Sequence, residues 1–396
     1  MKVKPVIFSH HDDYFKGLAA LFSLIQAPGD TQTAIGSAIL VKNGITLLNG
    51  SYGTGKTQLV NLVKRIFFRH GQGEGYDFDY ETCHQDLTAF DVLYHLDLAA
   101  LQQGREEVHA KKIVSARFKF LNEIQRANPS LYNALLPLLS ERRVTFRDME
   151  FTSPDYILVM DQNPQDAASS EIPRAFFDRI DFMINMAAID MRQSRILLER
   201  RTTTEGIEWG SLEEFTNHVL SSEQMAAIWE DVRRVAVAER EALLGSFLVN
   251  SFGVCVNADR SLAAEEFHLD CENCKYKGEV CRGVKTVPGQ RALNSLFKLS
   301  QARAWMSRRG AVAFDDLVFS LPYVLAHRLE LRHDEQAVYE NSFHWLRKKA
   351  LTEVLVNKFD SWRKVLDEAD KGEWDEAEKV AREDLVVARF LETRRI

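Results

Sequence analysis

The arrangement that most constrains this chain is the octet at residues 50–57, Gly-Ser-Tyr-Gly-Thr-Gly-Lys-Thr, set directly after the apolar run 45–48. Gly50, Gly53 and Gly55 let the backbone curl so that successive N–H groups, among them those of Ser51, Tyr52 and Thr54, point at a single anion. Lys56 is long enough to reach the terminal phosphates of a nucleotide, and the Thr57 hydroxyl can ligate magnesium. Residues 58–69, beginning at Gln58, have helical periodicity, and the positive end of that helix would face the phosphates. A strand, this loop and a helix in succession require a largely parallel sheet layered between helices, with ATP and Mg2+ as the implied ligands.

The rest of the chain is read outward from that anchor. Apolar runs at 118–121, 156–160 and 180–186 predict further buried strands, and the alternating stretch 76–80 predicts an exposed edge strand. Helices are expected at 8–26, 34–41 and 88–103. Polar residues stand where the strands end, so ligands are expected along the carboxyl edge of the sheet. Beyond residue 190 the strand signals fade, and helices are predicted at 191–201, 212–219, 222–247 and 291–308. The expected fold class is therefore α/β: an αβα nucleotide-binding core at 1–188, then an all-helical domain at 189–331 interrupted by a Cys-rich insert at about 250–285, then a helical C-terminal extension at 332–396. Within the extension Leu351, Val354, Leu355, Phe359, Trp362 and Leu366 share one helical face, which needs a partner inside or outside the chain.

With 396 residues, 45% hydrophobic and 27% charged, the chain is a globular protein of more than one domain rather than a disordered one. A formal net charge of −7 argues against a surface built to hold nucleic acid and favours a protein partner. The apolar stretch 18–25 is too short to span a bilayer and lacks a small-residue cleavage site, so a soluble cytoplasmic protein without membrane contact is expected.

Hydrolysis needs a carboxylate to order the attacking water and a polar group to steady magnesium through its waters. Asn122 and Glu123, at the end of one predicted strand, stand where both would be. Asn122 can accept a bond from a metal-bound water but adds no negative charge, whereas Glu123 can polarise water. A chain that binds ATP and assembles but turns over slowly is thus the alternative to a full ATPase. Asn163, at the tip of the next strand, suits a contact to the same water or to the γ-phosphate. Arg174 and Arg179 could reach a neighbouring subunit's nucleotide, with Arg179 the first choice and a local ion pair to Asp178 or Asp181 its plain alternative. Arg291, opening a helix of the second domain, could close that domain over the phosphates.

Of five cysteines, Cys255, Cys271, Cys274 and Cys281 crowd into one stretch, and four thiolates within reach of one ion imply a metal. Closed four-thiolate zinc sites make Zn2+ the preferred occupant, and a 4Fe-4S cluster is the alternative. His268 is a spare ligand, and Cys83 reads as a core residue. Lys275, Lys277, Arg282 and Lys285 give the insert local positive charge, which keeps a motor on nucleic acid as a third, less favoured reading.

In order and content these stretches resemble the MoxR-type AAA+ ATPases over about residues 15–330. Residues 50–57 look like that family's nucleotide loop, and Asn122-Glu-Ile-Gln-Arg-Ala127 is similar to its Asp-Glu-Ile-Asn-Arg-Ala element, with Asn122 in place of the acid. Asp161-Gln-Asn-Pro164 is similar to Ala-Thr-Gln-Asn-Pro, which implies that Asn163 is the first sensor. Phe177-Asp-Arg-Ile180 resembles Leu-Asp-Arg-Phe and implies an arginine finger at Arg179, and residues 288–329, with Arg291, look like the lid that carries the second sensor. The resemblance implies a homo-hexameric ring with sites between subunits, acting as a chaperone-like remodeler of a protein client, often beside a partner bearing a von Willebrand factor A domain. It also implies an insertion near 86–105 and a hairpin near 143–153, loops that could line a pore. The Cys-rich insert and the extension are not carried over from the family.

Overall fold

The apolar run before the phosphate loop is the strand β1 (Ile45–Asn49), in which Ile45, Leu47 and Leu48 have at most 2% of their surface exposed. Each such side chain contributes about 1.5–3 kcal/mol by leaving water. The computed structural model describes residues 6–25, 27–71, 75–105, 107–166, 172–187, 220–252, 280–286, 288–339, 341–355 and 366–367. The other described strands are β2 (Phe78–Thr82), β3 (Tyr94–Leu96), β4 (Val108–Ala110), β5 (Phe118–Asn122), β6 (Arg143–Phe146), β7 (Met149–Thr152), β8 (Ile157–Gln162) and β9 (Phe182–Asn185).

Five of them form one parallel sheet in the order β2-β5-β8-β1-β9. The near-continuous apolar character of β1, β5, β8 and β9 follows from burial on both faces, and β2, whose burial alternates, lies at the edge as its sequence predicts. The helix Lys56–Phe67 leaves the phosphate loop with Leu59, Val60, Leu62, Val63, Ile66 and Phe67 buried. Two antiparallel pairs, β3 with β4 and β6 with β7, stand apart from the sheet.

The chain divides into two compact units, Met1–Ala236 with Lys298–Val312, and Val237–Phe297 with Ala313–Ile396. The first contains the sheet and the N-terminal helix His11–Leu24, whose Tyr14 packs on Phe67 and Trp305. The second is helical in its described part. It gathers Leu248, Leu317, Leu321, Val324, Trp345 and Leu346 in its interior, and Arg328 donates to the Val324 carbonyl at 2.5 Å and to Ser295 Oγ at 3.2 Å.

Three local expectations change. The helix expected at 34–41 starts earlier, at Gly29–Ile39, because Pro28 fits the turn before a helix start. The continuous helix expected at 88–103 is instead the short helix Ala89–Val92, β3 and the short helix Leu98–Gln102. Asp97 stops any read-through by accepting the N–H groups of Ala99 and Ala100 at 2.8 and 3.1 Å, and β3 is held by β4. The helix expected at 222–247 is split into Ser222–Arg233 and Glu239–Asn250, since Ala236 between them bonds the backbone of Gly310 and Val312, both at 2.9 Å. The helices expected at 191–201 and 212–219, and most of the Cys-rich insert, lie outside the described residues. Of the extension's apolar face, Leu351, Val354 and Leu366 are buried and Leu355 is half-buried, while Phe359 and Trp362 lie outside the described residues.

Candidate functional site

Between β1 and the helix Lys56–Phe67 the loop bends sharply enough that Gly53 and Gly55 take φ of 76° and 82°, the left-handed region that a side chain resists. Gly55 thereby aims the first turn of that helix at the loop's hollow. The hollow continues into a cleft of about 410 Å³, lined on one side by Tyr52, Gly53, Thr54, Gly55, Lys56, Thr57 and Gln58, and on the other by Asn122, Glu123, Asp161 and Asn163. The strand order explains the meeting: β8 lies between β1 and β5, so the ends of all three strands face the loop.

Lys56 is 8% exposed, and its Nζ donates to the carbonyl oxygens of Gly50 and Ser51 at 2.7 and 2.9 Å. Burial lowers its pKa, against the opposing charges of Asp161 and Glu123. Asn122 turns its amide toward the edge strand, where Nδ2 donates to Thr82 Oγ1 at 3.3 Å. Glu123 has φ of 55°, a conformation that costs a non-glycine residue about 1 kcal/mol or more, and its N–H donates to Asp161 Oδ1 at 2.6 Å. Its carboxylate pairs with Arg126 at 2.9 Å. Arg126 also donates to Asp166 at 2.7 Å and to the Tyr52 hydroxyl at 3.2 Å, so one guanidinium ties the carboxylate, the loop after β8 and the phosphate loop together. Asn163 is 3% exposed; its Oδ1 accepts the Gln165 N–H at 3.1 Å, while its Nδ2 is buried without a partner. That orphaned donor fits an anionic oxygen or a water in the cleft.

Arg179, half-buried, donates from Nε to Ser140 Oγ at 2.6 Å and from a terminal nitrogen to the Ala175 carbonyl at 2.7 Å. Arg174, at the start of the same turn, is exposed. Arg291 stands exposed in the first turn of the helix Gln290–Met306, in the second unit. Cys255, Cys271 and Cys274 lie outside the described residues, as does the side chain of Cys281. Cys83 is buried, and that burial pushes its thiol up to about 12, which suits a core residue and not a nucleophile.

Sequence reading missed three participants, Asp161, Arg126 and Asp166. Arg126 stands three residues after Glu123, a spacing at which opposite charges meet on a helical turn. Asp161 could be found only from the pairing of β5 with β8.

A model of the AAA domain (dynein-related subfamily) matches residues 45–180, and a model of the AAA lid domain matches residues 286–342. The chain is 26% identical over 310 residues to Protein MoxR of Methylorubrum extorquens, covering 75% of this chain and 80% of that one. It is 25% identical over 323 residues to Protein MoxR of Paracoccus denitrificans, covering 79% and 85%. It is 30% identical over 168 residues to Chaperone MoxR1 of Mycobacterium tuberculosis, covering 42% of each. A crystal structure of a candidate ATPase from Cytophaga hutchinsonii shares the fold with a TM-score of 0.64 at 18% identity, covering 86% of this chain and 94% of that one. Among the described residues no helix is long and apolar enough to cross a membrane.

Proposed function

Because this chain belongs to the MoxR-type AAA+ ATPases, we propose that it hydrolyses ATP at the cleft between the phosphate loop and the ends of β5 and β8, and that it uses the cycle to remodel or activate a protein client. The observation that carries this reading is the buried, unpartnered Nδ2 of Asn163, a residue that lines the same cleft as Lys56 and Glu123. In the proposed cycle Lys56 exchanges the Gly50 and Ser51 carbonyls for phosphate oxygens, which compensate its charge better than neutral carbonyls do. Asn163 donates to the terminal phosphate or to the attacking water. Glu123 leaves Arg126 far enough to accept the water's proton. The oxygen donors of Thr57, Asn122 and Asp161 suit a hard cation, and magnesium bound there would neutralise charge on the phosphates.

Arg179 and Arg174 are proposed as the groups that reach an adjoining subunit's nucleotide in a homo-hexameric ring, and Arg291 as the lid's contact to the phosphates. The functional division into core (1–188), lid (189–331) and extension (332–396) is proposed on the same grounds, with the two family matches as support, although the second extends to residue 342. A von Willebrand factor A domain protein is a candidate client. For Cys255, Cys271, Cys274 and Cys281 the thiolate spacing supports Zn2+, with a 4Fe-4S cluster as the alternative. Metal analysis with an absorbance spectrum decides: a colourless protein with one zinc rejects the cluster, and a brown iron protein rejects zinc.

Phosphate release by the purified chain tests the main reading. Glu123→Gln should lower it by about a hundredfold or more while nucleotide binding persists, and the stalled variant with ATP should retain the client. Tight ATP binding by the unmodified chain without turnover would favour the nucleotide-gated scaffold instead, and salt-sensitive DNA binding would favour the nucleic-acid motor.

A further inference from the structure

Glu123 and Asp161 both bring carboxylates to the cleft, but only one of them is bonded to a cation. Glu123 is paired with Arg126 at 2.9 Å. Asp161 is 4% exposed, and among the described residues its carboxylate accepts one hydrogen bond, to Oδ1 from the Glu123 N–H at 2.6 Å. The nearby ammonium of Lys56 is bonded to two carbonyls instead. A carboxylate taken out of water with no cation bonded to it is costly, and a cation in the cleft would offset that cost.

Register puts this carboxylate where the missing one would be. In the parallel pair β5 and β8, Leu121 stands opposite Met160, so Asn122 and Asp161 come next on adjoining strands, and on its other side Asp161 stands opposite Leu48 of β1, two residues before the phosphate loop. Asp161, within β8, and Asn163, just after its end, both line the cleft. The unpartnered Nδ2 of Asn163 is an independent sign that this wall meets a ligand. The segments that Asn122 and Asp161 occupy resemble motifs carrying Asp and Thr there, so the negative charge has moved one strand closer to the loop.

We propose that Asp161, on β8, supplies the carboxylate that holds the hydrated magnesium of the bound nucleotide, in place of an acid at position 122. Its Oδ1 stays on the Glu123 N–H and fixes the left-handed turn there, while Oδ2 accepts from metal-bound water. One side chain thus positions both the cation and the carboxylate that activates water. The inference rests on the proposed nucleotide site.

The test is binding of a fluorescent, non-hydrolysable ATP analogue to the full chain, with Mg2+ titrated against EDTA. For the unmodified chain Mg2+ should tighten binding. Asp161→Asn should bind the metal-free analogue at least as well, since one anion near the phosphates is gone, but should lose the gain from Mg2+ by about tenfold or more. Asn122→Asp combined with Asp161→Asn should recover most of that gain. The inference is overturned if Asp161→Asn keeps the full Mg2+ gain, or if it loses metal-free binding equally, which would leave only a structural role. Should Asp161→Asn not fold, Asn122→Asp alone decides: a small change supports a carboxylate already in place, and a gain of about tenfold or more overturns it. Failure of the unmodified chain to bind the analogue at any Mg2+ concentration would remove the nucleotide site itself, a different result from binding that ignores position 161.

Discussion

Lys119 sits in β5 with no exposed surface, and its Nζ donates to the carbonyl oxygens of Ile113, Val114 and Ala116 at 2.6, 2.8 and 2.5 Å. It closes the end of the short helix Lys112–Ser115 and lies 4.8 Å from the Tyr156 ring centre. Burial pushes its pKa down to about 7 from 10.5, with the charges of Asp77 and Asp79 opposing. Only the ammonium can donate to all three carbonyls, and between those two values the folded chain has released a proton that the unfolded chain still holds, leaving two donors. The associated stability is fully present above 10.5 and is lost as pH falls toward 7. Lys119→Met should destabilise at neutral pH by about 3 kcal/mol, because three buried carbonyls lose their donor. Denaturant midpoints should also show the gap between the two proteins widening as pH rises, at a slope approaching about 1.4 kcal/mol per pH unit. A gap that stays constant from about pH 7.5 to about pH 9.5 would mean that Lys119 remains charged in the fold.

At the scale of elements, the two hairpins outside the main sheet are joined by aromatic rings. Phe90, in the helix Ala89–Val92, and Tyr94, in β3, lie 5.2 and 5.0 Å from Phe146 at the tip of β6, and 4.7 Å from each other. Such contacts are worth about 0.5–1.5 kcal/mol each. Phe146→Ala should therefore speed amide hydrogen exchange in both hairpins, residues 94–110 as well as 143–152, while the parallel sheet stays protected. Acceleration confined to 143–152 would show that the two loops do not act as a unit. Sequence gave access to the sheet more readily than to these loops. Runs such as 45–48 and 118–121 are buried on both faces and announce themselves without knowledge of their neighbours. β3 is three residues long and exists through its pairing with β4, so a window around residues 88–103, rich in helix formers, reads as one helix. The break at Ala236 depends in the same way on Gly310 and Val312, far along the chain. The site divides likewise: residues 50–57, Asn122, Glu123 and Asn163 carry local signals, whereas Asp161 acquires its place only through strand register.

For the molecule as a whole, the proposed ring makes each catalytic site the work of two chains, because a heterologous interface presents a different surface of each copy to the shared nucleotide. The Arg179 guanidinium is engaged within its own chain by Ser140 and the Ala175 carbonyl, while Arg174, at the other end of the turn, is exposed. If Arg179 is the finger, assembly has to draw it from these partners, and ATP turnover should then rise steeply with protein concentration. Subunit mixing separates the candidates. A Glu123→Gln chain keeps its arginines but cannot activate water, and an Arg179→Ala chain keeps Glu123 but cannot serve its neighbour. Each alone should be inactive. Random equal mixing places a competent Glu123 beside a competent arginine at one half times one half of the interfaces, so phosphate release should return to about a quarter of the unmodified rate. If instead Arg179→Ala is active alone, while Arg174→Ala is inactive alone and recovers on the same mixing, the finger is Arg174. Mixtures that stay inactive with both variants would mean that neither arginine acts across a subunit boundary, and each site would then have to complete its chemistry within one chain.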